Sequence, residues 1–140
     1  LKGHKDRISV ISSLADAEKS ADEVESRYIQ FQITAKKLIT ALFIGRIEQI
    51  QLKFELSSTE AQTLMQTLRS QGKDVATLER WLLDAKNKKL LSEQKLLDAR
   101  SQADSLSGNT SGQINESYNK IQLTVFEANQ YMREAISYLN

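Results

Sequence analysis

Phe43-Ile44-Gly45-Arg46, inside the run LITALFIGRIEQIQLKF over residues 38–54, decides how this chain folds. Upstream of it, apolar residues recur in steps of four and three. Ala17, Ala21, Val24, Tyr28, Phe31, Ala35, Leu38 and Leu42 make an unbroken heptad seam, and Leu14 and Val10 extend it backward. Forward, the frame reaches Gly45 and Gln49 and fails, while a new frame starts with Ile47, Ile50 and Phe54. A skipped phase of this kind marks a local change of supercoil or a turn.

Each choice predicts a different molecule. If the first helix continues from residue 5 to 56 it is roughly 75 Å long, residues 58–106 run back, and a last helix returns, leaving the chain ends far apart. If the chain turns at Gly45, four helices of about 37, 25, 33 and 29 residues run up, down, up and down, with both ends together. The frame shift and the glycine favour the turn. The lack of Pro, Asn, Asp or Ser at that point opposes it.

The rest of the chain is helical by the same reading. Ser57 with Glu60 forms a capping box that predicts a helix start near Ser58, with Ala61, Leu64 and Leu68 as its seam. Gly72 fits a C-cap and Asp74 an N-cap. The next frame is Val75, Leu78, Leu82, Ala85, Lys89, Ser92, Leu96, Ala99, Ala103 and Leu106, with Leu83, Leu90 and Leu97 widening the stripe. SGNTSG at 107–112 is a loop. Thr110 with Gln113 is a second capping box, and Ile114, Tyr118, Ile121, Val125, Ala128, Met132, Ala135 and Leu139 form the last seam. Asp84 with Lys88 and Glu116 with Lys120 are oriented as surface pairs. The predicted fold is all-α: one domain over 1–140, an elongated antiparallel bundle with coiled-coil-like heptad packing and helical segments at about 5–43/47–56, 58–71, 74–107 and 111–140.

Composition narrows the chemistry. Among 140 residues there is no cysteine and no proline, and His4 is the one histidine. Disulfides, thiolate metal sites, a cysteine nucleophile and a multi-histidine zinc site are excluded. A net charge of +1 argues against a strongly basic nucleic-acid surface. LITALFIGRI is about half the length of a membrane helix and contains Arg46, and LKGHKDR has no apolar signal core. No phosphate-binding, zinc-protease or nucleophile-elbow motif occurs, nor the Glu-x-x-His of di-iron bundles. The expectation is a non-enzymatic protein with no cofactor, no metal and no nucleic-acid partner.

Lys89 stands in a core position, where a lysine must snorkel, pair or meet an anion. The bland reading is a long stem that snorkels or a polar residue that fixes register. In the four-helix arrangement, Lys89 comes level with Arg27 and Tyr28 on the first helix and Asn129 on the last. That cluster of Lys89, Arg27, Tyr28 and Asn129 suits a small carboxylate held between helices. Trp81, beside Arg80, reads as a boundary anchor or a partner hot spot. Phe126, Tyr131, Ile136 and Tyr138 lie off the last seam and read as a second contact face, for a second copy or a partner helix, or as a widened stripe. Asn109-Thr110-Ser111 is formally a glycosylation sequon.

Two resemblances follow from these residues. AEKSADEVESRYIQFQIT (17–34), with Glu25 and Arg27 before Tyr28 and Phe31, resembles the first helix of helical-bundle extracytoplasmic sensor domains of bacterial chemoreceptors and sensor kinases. That resemblance implies a homodimeric periplasmic domain that binds a small metabolite and transmits helix displacement, with membrane contact through segments outside this chain. LERWLLDA (78–85) is similar to the tryptophan-bearing first helix of a spectrin-type repeat. That one implies a scaffold or adaptor, cytoplasmic in setting, which binds partner helices. A third expectation is a membrane-active protein inserting LITALFIGRI as a tip.

Overall fold

A computed structural model describes the backbone of residues 2–140 and the side chains from Val10 onward, so all of LKGHKDR, His4 included, lies outside the described side chains. Three helices account for most of the described residues, α1 (Lys2–Ser70), α2 (Ala76–Asp104) and α3 (Ser111–Ser137), with no strand among them. At 1.5 Å per residue, α1 with its 69 residues is about 100 Å long.

The segments expected at 5–43/47–56 and 58–71 are therefore one helix, and the count is three rather than four. Gly45 keeps a helical backbone; the one glycine with positive φ among the described residues is Gly72. The frame shift at Gly45 marks no turn, because α1 carries two apolar faces that overlap in sequence. The inner face is Ile29, Ile33, Thr40, Ile44, Ile47, Gln51, Phe54 and Ser58, all buried. The frame begun by Ile47 belongs to it. The Ser57–Glu60 capping box is not used either: Ser58 is buried inside the helix. Thr59, Thr63 and Thr67 donate to the carbonyls of Glu55, Thr59 and Thr63, so these hydroxyls bond back along the helix rather than ending it.

The true end of α1 is a Schellman turn. Lys73 N–H donates to Leu68 O at 3.1 Å and Gly72 N–H to Arg69 O at 2.9 Å, with Gly72 at φ +76°. The N-cap of α2 is Val75 rather than the expected Asp74, whose Oδ1 accepts from Ala76 N–H at 3.0 Å from one residue before it. At the next corner Thr110 Oγ1 accepts from Gln113 N–H, and the Gln113 side chain accepts from Asn109 N–H, one residue before the expected reciprocal partner.

Cross-helix pairs give the directions. Lys37 Nζ donates to Asp104 O, Glu48 pairs with Arg100, Gln51 with Ser92, Glu55 with Lys89 and Arg69 with Glu79, so α2 runs back along α1. Ser111 Oγ donates to Gln32 at 3.0 Å, and Lys95–Glu127 and Lys88–Glu134 carry α3 back along α2. The α2 and α3 seams are buried where the heptads place them, apart from Leu78, Lys89, Val125 and Leu139, which stay partly or more exposed. Ala85, Ala99, Ala128 and Ala135 let these two helices approach closely around Met132. Leu83, Leu90 and Leu97, expected to widen the α2 stripe, are exposed.

The body begins where Ile29 and Ile33 meet Leu106, Ile114 and Ile121. Val10 to Tyr28 are exposed throughout, and α1 runs about 28 Å past Ile29 toward its N-terminus, with Asp22, Glu25 and Ser26 beside the loop at Gly108 and Asn109. One consequence can be checked at Gly45, where an added Cβ meets nothing within 4 Å. Glycine in a helix interior is about 1 kcal/mol worse than alanine. Gly45→Ala should raise the unfolding free energy by an amount of that order, read as a higher urea midpoint at unchanged m-value. A lower midpoint would mean that the chain needs glycine at a bend there.

Candidate functional site

The four residues expected to hold a carboxylate are not brought together. Lys89 Nζ lies 2.6 Å from Glu55 Oε1 and 2.6 Å from Glu93 Oε1, and its side chain is 16% exposed. Arg27 and Tyr28 lie on the exposed N-terminal part of α1, about 40 Å up the helix from Glu55. Asn129 lines a groove between α1 and α3 instead. Matching their levels required a turn at Gly45, and the straight helix removes it.

Two carboxylates thus satisfy Lys89 internally, and its stem packs where the heptad puts it. Burial pulls its pKa down, but hydrogen bonds to Glu55 and Glu93 outweigh this and hold it above the ordinary lysine value of 10.5. A raised lysine adds stability that is complete below the unfolded value and disappears as pH rises through the folded one. Urea midpoints measured from neutral pH to well above 10.5 should therefore fall further for the native chain than for Lys89→Met. Parallel curves would show that the ion triad adds nothing.

Neighbouring polar pairs serve the body in the same way. Lys88 pairs with Glu134 at 2.6 Å rather than with Asp84, while Glu116 does meet Lys120 at 3.2 Å. Gln51 Nε2 donates to Ser92 Oγ at 3.0 Å in a fully buried layer, which pins α1 against α2. The sequence marks Ser92 as a polar break in its seam, but nothing in it marks Gln51 as the partner. Ile136 packs against the core, Tyr131 is half-buried with Lys88 Nζ 5.4 Å from its ring, and Phe126, Tyr138 and Trp81 are exposed. Thr110 of the sequon is engaged as a helix cap.

Two surface features remain. The first is the groove of about 370 Å³ lined by Thr40, Phe43, Arg46, Gln122, Phe126 and Asn129 among others. Arg46 is its cation, and no spacing or motif groups it with Asn129.

The second is the outer face of α1. The seam Val10, Leu14, Val24, Tyr28, Phe31, Leu38 and Leu42, expected to be the first core stripe, is exposed. Leu42 and Ile44, two residues apart, point about 200° apart around the helix; one is 71% exposed and the other 2%. The same heptad frame continues past Gly45 and Gln49 to Leu52 and Leu56, both exposed. An exposed apolar seam of this length exceeds the singly scattered apolar residues of an ordinary protein surface.

Among the described residues, no group of acidic or histidine side chains is placed to hold a metal, and no helix is long and apolar enough to cross a membrane. No known protein family, curated protein or solved structure matches the chain.

Proposed function

We propose that this chain is a non-enzymatic coiled-coil scaffold, in which a three-helix body holds one long helix straight and presents its outer heptad seam to a partner helix. The observation that carries this reading is the exposure of Leu38, Leu42, Leu52 and Leu56 on the face of α1 opposite the core. A coiled-coil seam is an incomplete structure: each knob needs a hole on a facing helix. The arm over 10–28 adds to this, because a short single helix without tertiary packing is marginal in water.

Sedimentation velocity across the micromolar range tests the reading. The expected mass exceeds that of one chain and falls to one chain in Leu38→Ser/Leu42→Ser, with helicity of the body retained. A single-chain mass at every concentration would overturn it.

The sensor-domain reading has one observation in its favour, the groove with Arg46 and Asn129, which offers a cation and an amide to a small carboxylate. A thermal shift with a panel of small carboxylates, lost in Arg46→Ala, would move the function to that groove.

A further inference from the structure

In heptad terms the exposed seam places Leu14, Ala21, Tyr28, Ala35, Leu42, Gln49 and Leu56 at a, and Val10, Ala17, Val24, Phe31, Leu38, Gly45 and Leu52 at d. Resting on the scaffold reading, we propose that the partner helix is α1 of a second copy of this chain, paired antiparallel about a two-fold axis near residue 33.

The seam is complementary to itself in that direction. With the axis at 33, Val24 faces Leu42 of the second copy, Tyr28 faces its Leu38, and Phe31 faces its Ala35, a large ring against a small side chain. Gly45 falls opposite Ala21 and Gln49 opposite Ala17, so the weakest part of the seam meets its smallest part. Parallel pairing in register would stack Phe31 on Phe31, and would set a glycine layer beside a glutamine layer.

Charge points the same way. The e edge of the seam carries Glu18 and Glu25 on its first half and Arg46 and Lys53 on its second. None of the four has an ion-pair partner among the described residues. Antiparallel helices set e against e, which brings Glu18 and Glu25 to Lys53 and Arg46 of the second copy, twice per dimer. On the g edge, Glu48 and Glu55 already hold Arg100 and Lys89 of α2. A parallel pair would set e against g and leave Glu18 and Glu25 facing serines 13 and 20.

The bare arm supplies the third argument. Antiparallel pairing lays residues 10–28 of each copy along residues 38–56 of the other, a stretch backed by α2 and α3. Those helices occupy the inner face of α1, so the two bodies sit on opposite faces and toward opposite ends of the pair. Parallel pairing would leave the two arms with only each other.

The chain has no cysteine, so single cysteines can be spin-labelled without background. In the full-length dimer, labels at residue 20 should lie roughly 40 Å apart and labels at residue 57 roughly 70 Å apart, from the axial offsets of 26 and 48 residues. The double variant Arg46→Glu/Lys53→Glu should weaken the dimer at least about tenfold, and adding Glu18→Lys/Glu25→Lys should restore it. All four positions are exposed, and unchanged helicity checks the fold. Short distances at both labels, in a chain that still assembles through Leu38 and Leu42, would overturn this register and leave the scaffold reading standing. A charge reversal without effect on the dimer would overturn it too. Failure to assemble at all removes both.

Discussion

Phe54→Ala is expected to lower the unfolding free energy of the body by about 3–5 kcal/mol, the usual cost of emptying a buried phenylalanine site. Phe54 is 3% exposed and belongs to the buried cluster to which all three helices contribute, with Ile44 and Ile47 of α1, Leu96 of α2 and Met132 of α3. Emptying its site removes apolar burial from the layer where the three helices meet. Leu56, two residues on, is 69% exposed on the outer face. Leu56→Ala should change the stability of the dissociated chain by no more than about 0.5 kcal/mol. Urea unfolding at a concentration low enough to keep the chain monomeric measures both. Equal effects would contradict the division of α1 into an inner and an outer face.

The second large effect is expected at Ser92. The substitution Ser92→Ala removes a single oxygen, yet should cost about 1–3 kcal/mol, because Gln51 Nε2 is left buried without an acceptor. Its rescue follows from the same reasoning. Gln51→Leu combined with Ser92→Ala replaces both partners by apolar groups, which approaches neutrality where shapes match. The double variant should therefore be more stable than the sum of the two single losses. Additive losses in chemical unfolding would show that the hydrogen bond does not couple the two helices.

Much of this architecture was legible in the sequence, and the exceptions have one cause. The seams of α2 and α3, from Val75 to Leu106 and from Ile114 to Leu139, are largely buried in the frame their spacing gives. Each of these helices has one strongly apolar face, so periodicity alone identifies the side that meets the core. The turn at Gly72 and the cap at Thr110 follow from local chemistry that needs no tertiary partner. On α1 the same reasoning finds an apolar face but not which face its own chain covers. The longest unbroken frame, Ala17 to Leu42, is the outer one. The inner frame, with Thr40, Gln51 and Ser58 among its isoleucines, is less apolar in sequence and is completed by partners such as Ser92 on α2.

Reading these two frames as one frame with a fault left a turn at Gly45 open beside a continuous helix. The cluster of Arg27, Tyr28, Lys89 and Asn129 rested on the arrangement with the turn. The bland reading of Lys89 fits its environment: a core lysine answered by carboxylates of its own chain, Glu55 and Glu93. The e-edge charges were visible in the sequence but had no meaning until the outer seam lost its place in the core.

The central claim is that α1 passes straight through Gly45. Spin labels at residues 26 and 63 of one chain, diluted with unlabelled protein so that only distances within the chain are read, test it most directly. A continuous helix predicts a separation of roughly 55 Å from the 37 intervening steps. A separation under about 20 Å, two helix diameters, would mean that the chain turns back at Gly45. It would return the outer seam of α1 to the core.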